Sequence, residues 1–304
     1  MSRIHEALQR AYLERGKTPA SGELQVVEPP APSNYEEPPV ARAEVSLDNI
    51  AERSWSPSTL SLPTLADRGA SVEQFRGLRS HVYQARYESP LKSILVASGM
   101  PSEGKSFVSA NLAISLARNS IHNILLIDAD LRRPTLHDLL GAPNTPGLAN
   151  YLDGSAELTD IMQRDGAPKS AGNGVAEKIS NLTFIPSGGS RDNSSELVAS
   201  PRMAELIESL APSFDWIVID APPVLAVTDA VELSRAADAV LLVARGASTP
   251  YEVAQRTKAA FNSARILGFV LNGVKDAPGK GSYNYNYYYH VEPGANGQDR
   301  PIKS

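Results

Sequence analysis

The chain has 304 residues, a formal net charge of −5 and no cysteine. This length suffices for one large α/β domain with extensions or for two small domains, and the charge excludes a basic field for nucleic acid as a partner. Disulfides, thiolate metal sites and cysteine nucleophiles are excluded, and no apolar stretch reaches the roughly 18 residues that a membrane span needs. We expect a soluble, cytoplasmic protein.

The first 70 residues differ in composition from the rest of the chain. Residues 1–17 place Ile4, Leu8 and Tyr12 on one face of a short amphipathic helix, which either docks on a partner or membrane surface or simply frays. Residues 18–70 hold eight of the 23 prolines and few apolar runs, so they predict a disordered linker.

From about residue 71, short apolar runs alternate with helical segments. Because these runs do not alternate polar with apolar residues, they predict strands buried on both faces, as in a parallel sheet. The predicted fold class is α/β, a doubly wound, mostly parallel sheet over residues 71–274 that binds ligands beyond the carboxyl ends of its strands. Residues 163–180 interrupt the rhythm and predict a mobile surface insertion. The runs are Ile94–Ala97, Ile124–Ile127, Leu182–Ile185, Trp216–Ile219, Val240–Val243 and Phe269–Leu271.

The segment GMPSEGKS, from Gly99 to Ser106, fits the phosphate-loop pattern G-x-x-x-x-G-K-[ST]. It follows a predicted strand and precedes a predicted helix, which is the context that distinguishes the motif from a chance glycine-serine turn. Backbone N–H groups at the helix N-terminus would surround phosphates, Lys105 would reach the β- and γ-phosphates, and the Ser106 hydroxyl would bind Mg²⁺. We therefore predict ATP and Mg²⁺ as cofactors. The loop residues predicted to bind nucleotide are Gly99, Pro101, Ser102, Glu103, Gly104, Lys105, Ser106 and Phe107.

Three aspartates follow predicted strands: Asp128 and Asp130 after one strand, and Asp220 after another. A carboxylate at the tip of a buried strand points into the ligand crevice of such a sheet. A single aspartate of this kind is better explained as a turn or helix cap. Three of them beside a phosphate loop predict the positioning of Mg²⁺ and of an attacking hydroxyl.

Three segments in chain order resemble the Walker A, Walker A′ and Walker B motifs of the bacterial tyrosine kinase family, the P-loop autokinases of exopolysaccharide and capsule biosynthesis. These segments are VASGMPSEGKS, LLIDADLRRPTLH and WIVIDAPPVLAVTDA, within a resemblance over about residues 71–290. The resemblance implies that Lys105, Asp128, Asp130 and Asp220 are catalytic, and that Ser106, Asp128 and Asp130 hold the metal. Phe107 and Ala221 depart from the residues that the family commonly has.

A fourth segment, EQFRGLR, resembles the E-x-x-R-x-x-R segment that the family uses for subunit contacts in a ring. The resemblance implies that Glu73, Arg76 and Arg79 contact a neighbouring copy. Their spacing places them on one stripe of a helix, so an ordinary solvated helix face stays open as the alternative.

The C-terminal residues 275–304 predict a flexible tail with a tyrosine cluster. Five of the chain's 11 tyrosines lie within seven positions there. A stacking platform for single strands lacks the interleaved basic residues, and an edge strand lacks an obvious partner. The resemblance implies autophosphorylation, in trans between copies, at Tyr283, Tyr285, Tyr287, Tyr288 and Tyr289.

Two other functions remain open at this point. The first is a dimeric switch ATPase of the same fold. Such ATPases carry a lysine at the position where this chain has Met100, which argues against this function. A non-enzymatic regulator of polysaccharide export would not need the intact lysine, serine and aspartates. The family resemblance implies instead a kinase that regulates this export and is recruited to the inner membrane by a separate activator, a polysaccharide co-polymerase.

Two residues near the C-terminal end of the domain have ambiguous roles. Asn272, after the run GFVL, corresponds to an adenine-contacting asparagine in related P-loop proteins, or it caps a turn before Gly273. Arg245 could contact a phosphate or pair with a surface carboxylate, and it is not among the predicted site residues.

Overall fold

The computed structural model describes residues 47, 50–118, 121–166 and 179–274. The predicted N-terminal helix, most of the predicted linker, the centre of the insertion and the tyrosine-rich tail lie outside these ranges. The strands of the described part are β1 (Ala51–Arg53), β2 (Ser93–Ser98), β3 (Ile124–Asp128), β4 (Gln163–Asp165), β5 (Leu182–Ile185), β6 (Trp216–Asp220), β7 (Ala239–Arg245) and β8 (Ile266–Asn272).

Within the described ranges, eight strands form one sheet in the order β1–β4–β5–β3–β6–β2–β7–β8. All neighbouring strands are parallel except the antiparallel pair β4–β5. Each of the six apolar runs lies within a strand, so the predicted doubly wound, mostly parallel sheet is confirmed. The helices are α1 (Ala70–Glu88), α2 (Lys105–Ala117), α3 (Leu136–Leu140), α4 (Leu148–Leu152), α5 (Leu158–Ile161), α6 (Ser194–Val198), α7 (Pro201–Leu210), α8 (Asp229–Leu233) and α9 (Tyr251–Ala260).

The sheet has an apolar core on each of its two faces. Successive residues of β2 point to opposite faces, so that Leu95 packs into one core while Ile94 and Val96 pack into the other. This two-sided burial explains why the central strands are uniformly apolar. The strand order sets β2, β6 and β3 side by side, and the segments that follow their carboxyl ends share one edge of the sheet.

Residues 50–66, here called the N-terminal strap, pack against the domain. Its strand β1 pairs with β4 at one end of the sheet. The indole of Trp55 is buried against Phe184, with ring centroids 6.0 Å apart, and its Nε1 donates a hydrogen bond to Gln163 Oε1 at 3.0 Å. The strap is therefore anchored to residues more than 100 positions further along the chain.

The other end of the strap lies on α2. Leu62 and Leu65 are fully buried there, and the Thr64 hydroxyl donates to Asn111 Oδ1 at 2.7 Å. The prediction of a disordered linker over residues 18–70 is consequently wrong for 50–70. It failed because the apolar anchors stand singly among prolines and serines, and their partners are remote in sequence.

Two further predictions need correction. Strand β8 is not buried on both faces, because it lies at the end of the sheet, where Phe269 and Leu271 are 39 % and 58 % exposed. The predicted mobile insertion over 163–180 instead begins with β4, and Ile179 near its end is fully buried.

Among the helices in the described part of the chain, none is long and apolar enough to cross a membrane.

Candidate functional site

The phosphate loop, residues 99–104, joins the carboxyl end of β2 to the start of α2. Gly104 has a φ of +92°, and a Cβ there would come within 1.9 Å of Asn272 Nδ2, so both its conformation and its contacts require glycine. Among the described residues, no side chain caps the N-terminus of α2. The first N–H groups of a helix have no intrahelical partner, so these groups are available to an anion.

Lys105, the first residue of α2, extends between two aspartates. Its Nζ lies 2.9 Å from Asp130 Oδ2 and 3.7 Å from Asp220 Oδ2. Both aspartate side chains are buried and that of Lys105 is 11 % exposed, so the lysine lies where it can offset the charge of two buried carboxylates. The arrangement brings the start of α2 at residue 105 and the ends of two strands, at residues 128–130 and 220, into one cluster.

Two hydroxyls of α2 hold the Asp220 carboxylate. Ser106 Oγ donates to Asp220 Oδ2 at 2.5 Å, and Ser109 Oγ donates to Asp220 Oδ1 at 3.0 Å. Ser106 was predicted as a site residue, whereas Ser109 was missed. Their i,i+3 spacing on a helix that begins at the phosphate loop is the signal that could have found Ser109.

The Asp128 carboxylate is fixed by the backbone that follows it. Its Oδ1 accepts the N–H of Asp130 at 3.2 Å and its Oδ2 accepts the N–H of Leu136 at 3.1 Å. Asp128 is fully buried and is the register partner of Asp220 on the adjacent parallel strand β6. The two strand-end aspartates thus lie next to each other on adjacent strands.

These surroundings shift the ionisation of the cluster. Burial, together with the neighbouring Asp220, raises the pKa of Asp128 well above its ordinary value. Burial also raises the pKa of Asp220, although Lys105 and Ser106 oppose that rise. Burial alone would lower the pKa of Lys105, but Asp220 and Asp130 outweigh it and raise that pKa. A carboxyl with a raised pKa is a better proton acceptor near neutral pH than an exposed aspartate.

The oxygen atoms of Ser106, Asp128 and Asp130 are the hard ligands that Mg²⁺ prefers. Over the described ranges, no group of three or more His, Cys, Asp or Glu side chains is arranged to hold a metal ion by itself. This set suits Mg²⁺ held in part by the phosphates of a nucleotide, because Mg²⁺ commonly combines one or two protein ligands with substrate phosphates.

The outer part of the phosphate loop contacts β7 and β8. Asn272 Nδ2 donates to the carbonyl of Glu103 at 3.0 Å, and Arg245 Nη1 donates to the carbonyl of Ser102 at 2.9 Å. Asn272 therefore adjoins the loop, as its predicted role requires, while the contact of Arg245 was missed. Pro101 and Ser102 are exposed on the loop surface. The ring of Phe107 instead packs against Phe75 of α1, with centroids 5.9 Å apart.

A second cluster beside the A′ segment was also missed. Asp229, almost fully buried at the start of α8, accepts hydrogen bonds from the hydroxyls of Ser194 and Ser195 at 3.0 and 2.6 Å. Its Oδ2 also lies 3.3 Å from Arg132 Nε. These residues come from three separate segments, so only the tertiary structure brings them together.

The predicted oligomer contacts lie on α1. Glu73 and Arg76 form an i,i+3 ion pair. Arg79 Nη1 donates to the carbonyl of Ser115 in the last turns of α2 at 2.6 Å, so this arginine has a role within the domain. All five tail tyrosines lie outside the described residues.

Residues 94–289 match the CbiA family, the CobQ/CobB/MinD/ParA nucleotide binding domain. The chain is 32% identical over 236 residues to the putative tyrosine-protein kinase CapB of Staphylococcus aureus, covering 76% of this chain and 96% of that protein. It is 34% identical over 210 residues to the tyrosine-protein kinase YwqD of Bacillus subtilis, covering 68% and 83%. For the tyrosine-protein kinase etk of Escherichia coli K12, the match spans 31% of that longer protein at 34% identity.

Solved structures give the same relationship. The kinase domain of Escherichia coli tyrosine kinase ETK superposes with a TM-score of 0.63 at 33% identity, covering 77% of this chain and 87% of that one. The chimerical protein CapA2B2 superposes with a TM-score of 0.64 at 29% identity, covering 72% and 92%. Sequence identity and fold therefore relate the chain to the same set of proteins.

Proposed function

Because this chain belongs to the bacterial tyrosine-protein kinase family, we propose that it transfers the γ-phosphoryl group of Mg-ATP to tyrosines of its own C-terminal tail. The observation that carries the proposal is the buried cluster at the end of the phosphate loop. There, Lys105 Nζ lies 2.9 Å from Asp130, and Asp128 lies beside Asp220 on adjacent strands.

The nucleotide would lie along the phosphate loop. Its phosphates would accept hydrogen bonds from the backbone between Gly99 and Phe107, and Lys105 would exchange part of its contact with Asp130 for the β- and γ-phosphates. Asn272, whose amide already contacts the loop, is proposed to face the adenine. Ser106, Asp128 and Asp130 supply the oxygen atoms proposed to hold Mg²⁺, which when bound neutralises charge on the phosphates.

Phosphoryl transfer requires a tyrosine oxygen to attack the γ-phosphorus as its proton leaves. We assign the proton to the Asp128 carboxylate, whose raised pKa suits an acceptor for a phenol with an ordinary pKa near 10. The new bond joins the tyrosine oxygen to phosphorus, the bond to the β–γ bridging oxygen breaks, and ADP leaves. Lys105 offsets the charge on the transferred group.

The acceptor is proposed to be the cluster Tyr283, Tyr285, Tyr287, Tyr288 and Tyr289. From Val274 to Tyr289 the chain can extend at most about 50 Å, and roughly 20 Å on average if flexible. Its own site and that of a neighbouring copy both stay geometrically open to a tail of this length. We favour the neighbour's site, with Glu73, Arg76 and Arg79 contributing to the contact between copies.

We further propose a division of the chain into an N-terminal helix (1–17), a linker, a kinase domain ending near residue 274 and an acceptor tail (275–304). The packing of the strap against the sheet supports a start of the kinase domain at about residue 50 instead of 71. A polysaccharide co-polymerase of the inner membrane is the proposed activator. It would recruit the kinase to that membrane from the cytoplasm, and the proposed pathway is exopolysaccharide or capsule polymerisation and export.

The test incubates the purified full-length protein with Mg-ATP, with and without a candidate activator, beside a Lys105→Met variant. Phosphotyrosine is detected by immunoblot and located by mass spectrometry. We expect phosphate on residues 283–289 that is absent from the variant. Bound ATP without phosphotyrosine in the presence of the activator would instead favour a regulatory P-loop ATPase.

A further inference from the structure

The phosphate loop is held from its outer side by three side chains of the β7–β8 half of the sheet. Arg245 donates to the Ser102 carbonyl at 2.9 Å, and Asn272 donates to the Glu103 carbonyl at 3.0 Å. The third contact is made by the Thr249 hydroxyl, which donates to Glu103 Oε1. Thr249 also accepts the backbone N–H of Arg245 at 2.8 Å, so the contacts of these two residues are connected.

Glu103 is the unusual member of this arrangement. It is a carboxylate inside a loop built for anions, and only 4 % of it is exposed. Its Oε2 accepts the N–H of Met100 at 2.7 Å, which closes the loop on itself. Within the described ranges, no cationic side chain forms an ion pair with it. A buried charge of this kind is costly unless its hydrogen bonds are used, and here both oxygens are used.

The neighbouring Ser102 has a backbone that needs such support. Its φ is +65°, in the left-handed region that side chains other than glycine adopt at an energetic cost. Arg245 donates to the carbonyl of this residue, and the next residue, Glu103, is held through its own side chain. The strained loop conformation therefore depends on contacts with a segment that is about 145 residues away in sequence.

We propose that Glu103, Thr249 and Arg245 are positioning residues, a latch that holds the phosphate loop in its nucleotide-binding shape before nucleotide arrives. This inference rests on the proposed function, because it requires that the loop binds ATP. A loop that is already ordered lowers the conformational cost of binding, and an unlatched loop is competent for only part of the time. The latch thus affects nucleotide affinity more than the transfer step.

The test titrates mant-ATP into the full-length protein and follows nucleotide fluorescence. We expect Glu103→Ala and Thr249→Val each to weaken binding about tenfold, as follows if the competent fraction of the loop falls to about a tenth. The double variant is expected to bind no more weakly than the weaker single variant, because both changes open the same latch. Glu103→Gln keeps an acceptor oxygen and is expected to stay within about threefold of wild type.

Ser248→Ala is the matched control, since this exposed serine adjoins Thr249 and is expected to bind like wild type. Thermal unfolding of each variant separates loss of the latch from loss of the fold. If Glu103→Ala does not fold, Thr249→Val still tests the latch, because Thr249 is only half-buried. Wild-type affinity in Thr249→Val, or losses that simply add, would overturn the latch alone. If the wild-type protein bound mant-ATP no better than the Lys105→Met variant, the proposed function would be overturned as well.

Discussion

The N-terminal strap and the acidic site each bury side chains inside the domain, but these side chains are of opposite kinds. The strap places apolar groups in the core, with Trp55 5 % exposed and Leu62 not exposed at all. The site places ionisable groups there, because Asp128 and Asp220 are both fully buried beside Lys105. The buried side chains of the two regions therefore have quite different chemistry.

The difference separates residues that stabilise the fold from residues that serve the reaction. Burying an indole stabilises a protein by several kcal/mol, while burying paired carboxylates is often neutral or costly compared with apolar replacements. Such a cost is commonly tolerated at a functional site. Substitutions in the strap should therefore reduce stability and spare activity, and substitutions in the site should do the reverse.

The largest effect is expected for Asp128→Asn, which removes the proposed proton acceptor. Tail phosphorylation should fall by about 10²- to 10⁴-fold, the usual contribution of general base catalysis, while mant-ATP affinity changes little. The unfolding free energy should change little, because the neutral amide relieves the repulsion from Asp220, and this gain offsets the loss of one of the two backbone N–H hydrogen bonds to Asp128. Rates come from initial phosphotyrosine formation and stability from urea unfolding. Asp138→Asn, at an exposed aspartate in α3, is the control, and unchanged phosphorylation in Asp128→Asn would exclude the proposed role.

Trp55→Ala tests the strap. We expect the free energy of unfolding to fall by about 3–5 kcal/mol, because the substitution leaves a cavity against Phe184 and removes the hydrogen bond to Gln163. Phosphorylation per folded molecule should be unchanged. Leu60→Ala is the matched control within the strap, since Leu60 is 92 % exposed. A loss of activity without a loss of stability would show that the strap acts on the site.

The smallest effect concerns pH. Burial raises the pKa values of Asp128 and Asp220 above the ordinary 3.8, so the folded chain holds these protons more tightly than the unfolded chain. Their contribution to stability must then fall as pH rises from about 3.8 through the folded-state pKa values, by less than about 1.4 kcal/mol per pH unit for each proton. Urea unfolding at stepped pH should give a flatter curve for Asp128→Asn than for wild type. Parallel curves would contradict the raised pKa of Asp128.

The central part of the fold and most of the candidate site follow from local sequence signals. The runs ILLID and WIVID predict buried strands from their composition alone, and the parallel arrangement then requires Asp128 and Asp220 to share one edge. Likewise, GMPSEGKS is contiguous, so its position before a helix could be read without any knowledge of the remaining chain. These features depend on neighbours within a few residues.

Only the tertiary structure decided which isolated residues are used. The four strap anchors Ile50, Trp55, Leu62 and Leu65 form no periodic pattern, and Thr249 and Arg245 reach the phosphate loop across about 145 positions of sequence. The same holds for Arg79, whose bond to Ser115 depends on how α1 packs on α2. Periodicity and motifs report contacts between near neighbours in the chain, whereas these contacts form because folding brings distant segments together.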